Sequence, residues 1–570
     1  MHINEWAAER IRRMLRARRL VALLPVAALV AGLGAGSAGT ASASPALAAR
    51  VIPGPVVPAS LFGMTIGSAG SLASLPIKPG SLRLWDTGVR WDQVQAKGRF
   101  TPYDWTLFDK VIRNAKAAGI KDIEYVMGST PRWAAIPASS TIEKSDLYGP
   151  GTASYPANVA YYLNYLTYVA TRYCGIITSF EVWNEANLKI FYRGSAANLA
   201  ALTRAAYVTL KHLPLTAAWR AKRCPTTAPL LVGASITILG VMGKGLYSSY
   251  LTALRSVSWP VDAFSAHLYP TSPYGPDYRV TFIGMVRRFL TAYGSTKPLW
   301  DGEVNYGDAR AGYVYKRFSG LTADAYVART YIDSMRYGVA RTYWYSWEVP
   351  FLGINMSIAG KPTEASYAFN TIKTWMVGKH WEGCLVLTGG INRCQLLDAV
   401  GHHTSIWYAT SGTRTIKIPN GTIAVCRLPT SLCTPVRAGT NLTLNFVPVL
   451  TYDAYRLATL VSGTTATAIP AAVRRTVPKG PLVSFAVVVA QAKLARSGKE
   501  TYSGHVKLLQ AALIKAKMTP KIIADGFLGV QTLYAYASWQ RTRRVPCPGI
   551  PDLVSFRLLG TMSGLYNPGS

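Results

Sequence analysis

The chain has 570 residues, 49% of them hydrophobic and 11% aromatic, with 15 Trp and 33 Tyr. That is enough for roughly two to four domains and a large packed core. Core and rim packing accounts for most of the rings, leaving some for recognition, because C–H-rich sugar planes stack on aromatic faces. The formal charge is +34, which suits anionic surroundings such as cell-wall polymers or membrane surfaces, although a basic proteome bias explains much of it. The lack of a basic recognition helix or zinc pattern sets nucleic acid aside as a partner.

Residues 1–48 read as a secretory signal peptide. Arg10, Arg12, Arg13, Arg16, Arg18 and Arg19 form a basic start, Leu20 to Gly36 an apolar stretch broken by Pro25, and Ala46-Leu47-Ala48 a small-residue cleavage site. Arg12-Arg13 and Arg18-Arg19 leave a twin-arginine route open beside the general one. With six Arg and two Glu in that leader, the remainder keeps +30. No later stretch reads as a membrane span, so the expected product is secreted, extracellular or wall-associated, and not integral to the membrane.

From 49 to 378, short apolar runs alternate with helical patterns. The expected strands are Leu61–Ile66, Leu82–Trp85, Ile123–Met127, Ile177–Trp183, Leu230–Ala234, Ala263–His267, Leu299–Gly302 and Thr342–Trp347. Between or after them lie helical patterns such as Trp105–Ala118, Val159–Tyr173, Ala197–His212, Thr322–Tyr337 and Tyr367–Val377, whereas Ser68–Gly80 is mostly loop. Eight strand–helix repeats, with polar and aromatic residues just after the strand ends, predict a (β/α)8 TIM barrel. Short alternating segments and Gly, Asn and Pro turns then predict a small antiparallel β-sandwich over 379–460. A Thr-, Ala- and Pro-rich linker follows at 461–481. Seven cysteines remain after the leader, and export permits disulfides. Cys174 with Cys224 could pair at one barrel rim; Cys384 with Cys394 and Cys426 with Cys433 could staple hairpins, other connectivities staying open, and Cys547 is left over.

The stretch 482–570 differs again. His505–Leu513 carries a 3.6-residue apolar period. Asp525-Gly526-Phe527-Leu528-Gly529 with Thr532, and Trp539-Gln540 later, resemble the peptidoglycan-binding-like three-helix domain, with Leu528 where Phe is usual. The resemblance covers roughly 500–560 and implies bacterial peptidoglycan as a partner.

Chemistry concentrates in Phe180-Glu181-Val182-Trp183-Asn184-Glu185-Ala186-Asn187 and in Pro298-Leu299-Trp300-Asp301-Gly302-Glu303. Both are apolar runs that end in an acid. Two carboxyl groups at the tips of two barrel strands suit glycoside cleavage, where one donates a proton and the other attacks or activates water. Trp183-Asn184-Glu185 with Glu303 resembles clan A of the retaining glycoside hydrolases. The layout is most similar to family 39, the β-xylosidase and α-iduronidase family. Leu82-Arg83-Leu84-Trp85, Tyr103-Asp104-Trp105 with Asp109, Thr130-Pro131-Arg132-Trp133 and Ala266-His267-Leu268-Tyr269 also fit, over about residues 60–455.

The resemblance implies Glu185 as acid/base and Glu303 as nucleophile. Asn184 would bind the sugar 2-hydroxyl, and Arg83 would pair with Glu303 and keep it ionised. Tyr269 would hydrogen-bond Glu303, His267 would lie beside the sugar, Trp347 would form the platform, and Glu348, Trp85 and Trp133 complete the expected substrate contacts. Glu181 and Glu124, inside strands, are expected to be structural. Two departures stand out. Ala186 replaces a usual Pro, and Arg83-Leu84-Trp85-Asp86 replaces the R-x-H-G of the xylosidases, so Trp85 or Asp86 would reshape the pocket. No cofactor or metal is implied, because two carboxylates suffice. The expected function is a secreted retaining glycosidase acting on a polysaccharide or oligosaccharide and held to the wall by its tail. A non-catalytic carbohydrate-binding wall protein and a peptidoglycan hydrolase are the alternatives. Sugar, linkage and endo or exo action stay open.

Overall fold

The computed structural model describes residues 54–137, 146–242, 245–270, 274–310, 317–399, 401–453 and 504–517, with isolated positions beyond 481. Nine parallel strands form one sheet: β1 Phe62–Thr65, β2 Ser81–Leu84, β3 Ile123–Val126, β4 Ile177–Glu181, β5 Leu230–Val232, β6 Ile236–Thr237, β7 Phe264–His267, β8 Leu299–Val304 and β9 Val339–Trp344. β1 pairs with both β2 and β9, and a Val232↔Ala263 bridge joins the end of β5 to the start of β7. The sheet therefore closes into a ring. β5 and β6 are two pieces of one barrel strand, so the expected eight strands are present as a TIM-like barrel. The break falls at Gly233, where a Cβ would lie 2.9 Å from the Phe264 ring.

Helices Thr106–Ala117, Val159–Arg172, Ala196–His212, Leu246–Ser256, Pro276–Ala292, Gly320–Arg336 and Glu364–Met376 follow the strands. Their starts carry local signals. Asn158 accepts from the Ala160 N–H, and Ser195 from the Asn198 N–H, so each satisfies a free donor of the first turn. Side chains alternate across each strand. Phe62, Met64, Leu82, Leu84, Tyr125, Phe180, Leu231 and Phe264 join the core under the helices. Their neighbours face the lumen, which is unusually polar: Thr65, Arg83, Glu124, Ser179, Glu181, Ser265 and His267 are all at most 1% exposed. A separate apolar cluster of Val232, Ala263, Trp300 and Tyr343 fills part of the lumen. Gly63 is required there, since a Cβ would sit 2.3 Å from the Tyr343 ring.

Beyond the barrel, six antiparallel strands pair in the order His380–Leu387, Ile391–Leu397, His403–Ala409, Val449–Asp453, Thr422–Arg427 and Leu432–Pro435. A two-stranded sheet, Arg414–Lys417 with Asn441–Leu444, faces it across Ile391, Trp407, Ile418, Val425, Leu442, Leu444 and Val449. Antiparallel sheets thus follow the barrel, as expected. The other face of the six-stranded sheet joins the barrel core, where the Trp375 indole donates to Ser431 and Thr371 to the Pro429 carbonyl. The segment before β1 is part of the join. Val56 bridges His380, Val57 N–H donates to Lys379, Gly378 N–H to Val57, and Trp381 N–H to Pro55.

All three expected disulfides are present. Cys174–Cys224 ties the approach to β4 to the approach to β5, while Cys384–Cys394 and Cys426–Cys433 link directly opposed strand residues. In the tail, the expected helix is Gly504–Lys515, with Val506, Leu509, Ala512 and Leu513 buried. Gln510 donates to Thr532, and Tyr536 packs on Trp539. Residues 525–529, the core of the peptidoglycan-binding motif, and the leader lie outside the described residues. Among the described residues, no helix is long and apolar enough to cross a membrane.

Candidate active site

The lumen side chains at the strand ends converge on Arg83. Its Nη1 donates to Glu303 Oε1 at 2.6 Å, its Nη2 to Glu181 Oε1 at 2.9 Å and Asn184 Oδ1 at 2.8 Å, and its Nε to Glu181 Oε2 at 3.2 Å. Arg83 and Glu181 are both fully buried. An arginine fork suits this task because its fixed donors satisfy two carboxylates and an amide at once. Glu303 is held on its second oxygen by the Tyr269 hydroxyl at 2.9 Å.

Glu185 lies four residues beyond β4, with φ at +41°. A non-glycine residue rarely occupies this left-handed region unless its surroundings enforce it. Ser235, between β5 and β6, does so: its Oγ accepts from Glu185 N–H at 2.9 Å, and its carbonyl from Ala186 N–H. The interrupted barrel strand thus supplies the brace that turns Glu185 toward the lumen. His267 Nδ1 lies 2.8 Å from Glu185 Oε1 and 3.5 Å from Glu303 Oε2. One ligand-type atom each from Glu185, His267 and Glu303 all fall within 4.8 Å of one another.

Burial and charge compete here. Burial alone would lower the His267 pKa, but the Glu303 carboxylate and the hydrogen bond with Glu185 outweigh it and raise it. Burial raises the Glu303 pKa above the usual carboxylate range, against the pull of His267 and Arg83. Two carboxylates and an imidazole could in principle hold a cation. The Arg83 guanidinium disfavours that, since it already pairs with Glu303 and its charge repels a second cation.

A fourth carboxylate, Asp86, lies just past β2. Tyr148 donates to its Oδ1 at 2.8 Å and Tyr345 to its Oδ2 at 2.6 Å, while the Trp85 indole donates to Tyr148 at 3.0 Å. Phe191 packs against both Trp85 and Tyr148. Tyr345 meets Tyr269 edge-on, at 6.4 Å between centroids. This wall is therefore continuous with Glu303.

Of the expected site residues, Arg83, Asn184, Tyr269 and Glu303 form one hydrogen-bonded group, the bonded Glu185–His267 pair adjoins it through the His267–Glu303 contact, and Trp85 lies on the adjoining wall. Trp347 is 2% exposed and anchored by its N–H to Thr65 O. Glu348 accepts from Gly67 N–H at 2.7 Å and Ser68 Oγ, and so holds the loop after β1. The contacts of Trp133 run outward, to Trp91, Tyr161 and the Gln95 carbonyl. Glu181 is the residue that sequence reasoning left out of the site. A buried carboxylate needs a cationic partner, and Arg83 in the middle of another apolar strand was the available signal.

Glu124 is the odd member of the lumen. It is fully buried, with the Tyr343 phenol beside it and, among the described residues, no ion-pair contact. Burial first, and the Glu181 charge second, push its pKa up to about 8. The folded protein therefore keeps this proton at pH values where the unfolded chain, near the ordinary 4.5, has lost it. Stability falls as pH rises across that window. Glu124→Gln is expected to remove this loss, raising stability over the parent by a few kcal/mol at about pH 9 and changing it little at about pH 4. Urea denaturation at both pH values measures it; an equal change at both would contradict the assignment.

No family model matches the chain, and no curated protein sequence is similar to it. Its fold does resemble solved structures. A family 39 glycoside hydrolase from the gut symbiont Bacteroides cellulosilyticus WH2 superimposes with a TM-score of 0.51 at 14% identity, covering 70% of this chain and 81% of that one. A glucosidase from Croceicoccus marinus gives 0.51 at 13% identity, covering 71% and 97%. A conserved exported protein from Bacteroides fragilis gives 0.50 at 11% identity, covering 71% and 98%. At such identities the likeness bears on the fold alone.

Proposed function

We propose that the chain is a secreted retaining glycoside hydrolase that cleaves O-glycosidic bonds of a polysaccharide or oligosaccharide. The observation that carries this reading is the approach of Glu185 and Glu303, which bring carboxylate oxygens within 4.8 Å. Retaining enzymes need carboxyl groups about 5–5.5 Å apart; an inverting enzyme needs roughly 6.5–9.5 Å, to admit water between them. In the first step Glu303 attacks the anomeric carbon, forming a bond to it. The bond to the leaving oxygen breaks as Glu185 gives that oxygen a proton. Water, deprotonated by Glu185, then attacks the same carbon and releases Glu303, with net retention.

The remaining contacts fit these roles. Arg83 and Tyr269 fix both oxygens of Glu303. Asn184 is pinned by its Oδ1, leaving its NH2 for a sugar hydroxyl. His267 orients Glu185. The C-terminal module would hold the enzyme to peptidoglycan, a reading that rests on its sequence motif, and the three disulfides are compatible with export.

The test is a screen of aryl glycosides and wall polysaccharides, with the first-formed anomer read by NMR. Retention is expected; inversion, or no product from any substrate, would refute the proposal. On a substrate that the enzyme cleaves, Glu185→Ala is expected to lower kcat/KM by roughly 10²–10⁴-fold when the leaving group needs a proton, and far less with an activated aryl group, for which kcat is then limited by the slow attack of water. Azide should then rescue the variant and give a glycosyl azide of retained configuration. Equal losses for both leaving groups would remove Glu185 from the acid role.

A further inference from the structure

The wall beside Glu303 carries information about the sugar. Asp86 is part-buried, and each of its oxygens accepts one phenolic hydrogen, from Tyr148 and Tyr345. An ionised carboxylate has about four acceptor positions, so two remain. Both phenols spend their hydrogens on Asp86, and the Tyr148 oxygen already accepts from the Trp85 indole. Asp86 is also close enough for its charge to act on Glu303. Tyr345, which clamps Asp86, meets Tyr269, which holds Glu303, so Asp86 stands beside the Glu185–Glu303 pair.

Among the described residues, Arg83, Arg90 and His267 are already engaged, His267 by Glu185. Arg83 serves Glu303, Glu181 and Asn184. Arg90 bonds Asp92 through Nε at 3.1 Å and Nη2 at 3.4 Å, and its guanidinium lies 3.7 Å from the centre of the Tyr148 ring. Neither presents an uncommitted fork to a ligand carboxylate.

We infer that Asp86, clamped by Tyr148 and Tyr345, is a specificity-determining residue that accepts hydrogen bonds from a neutral, hydroxyl-bearing sugar ring and excludes a uronate. This inference rests on the glycosidase reading. A sugar hydroxyl supplies the donor that the free Asp86 lone pairs lack. A sugar carboxylate would add to the negative charge of Asp86 and Glu303 where, among the described residues, neither Arg83 nor Arg90 has a fork to spare, and like charges held together disfavour binding strongly.

Binding and turnover are tested separately. The full-length Glu303→Gln protein, which should not consume its ligand, is applied to an array of neutral glycans and the same glycans oxidised at C6 to uronates. Binding to neutral members is expected, with their oxidised counterparts weaker by roughly tenfold or more. Asp86→Asn should weaken neutral binding and shrink that preference. Binding confined to uronates, binding to neither class, or a preference that Asp86→Asn leaves unchanged would overturn the inference. If Asp86→Asn fails to fold, Tyr148→Phe, which removes one arm of the clamp, takes its place, and binding confined to uronates with Asp86 intact still overturns the inference. Turnover is read on the unmutated enzyme: neutral glycans bound through Asp86 but never hydrolysed would refute the glycosidase reading and leave this preference standing.

Discussion

Replacing Glu303 with alanine is expected to lower kcat by roughly 10⁴-fold or more while the protein stays folded. The size follows from its assigned place in the reaction: no other described carboxylate has both oxygens fixed by Arg83 and Tyr269 and lies within 4.8 Å of Glu185 and His267. Removing it takes away the covalent step. Folding should survive because Arg83 keeps its two bonds to Glu181 and its bond to Asn184. Azide at the vacated position should attack from the same side and release a glycosyl azide of inverted configuration, the opposite of the Glu185→Ala outcome. Near-parental kcat in the folded variant would end the nucleophile assignment.

Arg83→Met is expected to cost both activity and stability. The substitution keeps an unbranched chain of similar bulk but strips the cation from two buried carboxylates. Breaking a buried ion pair by removing one partner typically costs about 3–5 kcal/mol, because the remaining charge has nothing to offset its desolvation. Burial already lifts the Glu303 pKa, and Arg83 is one of the two groups opposing it. Without Arg83 that pKa rises further. Because the nucleophile must be ionised, the acid limb of the activity profile should move to higher pH. Lysine should not rescue the site, since one ammonium cannot span Glu303, Glu181 and Asn184 as the fork does. Chemical denaturation and a pH–rate profile measure the two effects; an unmoved acid limb would show that Arg83 acts only as scaffold.

Much of this was legible in the chain. The apolar runs marked all eight barrel strands, and the acids at the ends of two of them are the carboxylates that the fold brings together. The break between Val232 and Ile236 was not, because it depends on the Phe264 ring crowding Gly233, a contact between distant residues. Asp86 showed itself only as a departure from a motif; its clamp needs Tyr148 and Tyr345, from two other parts of the chain. Trp133 had the residue type for sugar stacking, but residue type does not reveal that its indole bonds the Gln95 carbonyl and its ring meets Trp91. Glu181, expected to be structural, bonds the arginine at the centre of the site. Structure and function share one side chain there, because the same guanidinium that neutralises Glu181 also holds Glu303.

The few residues ahead of β1 set where this protein can be divided. Pro55, Val56 and Val57 pair with the stretch from Gly378 to Trp381, and the His380 ring bonds the Gly54 carbonyl. A cut at residue 378, the natural splice point in a linear map, would strip the lead-in to the first barrel strand of its partner and open the shared core. Anyone grafting a different accessory module onto this barrel, or recombining two homologues, would have to move residues 54–57 together with the antiparallel sheets. The modular seam is formed by two distant stretches of chain, and recombination at a single crossover cannot respect it.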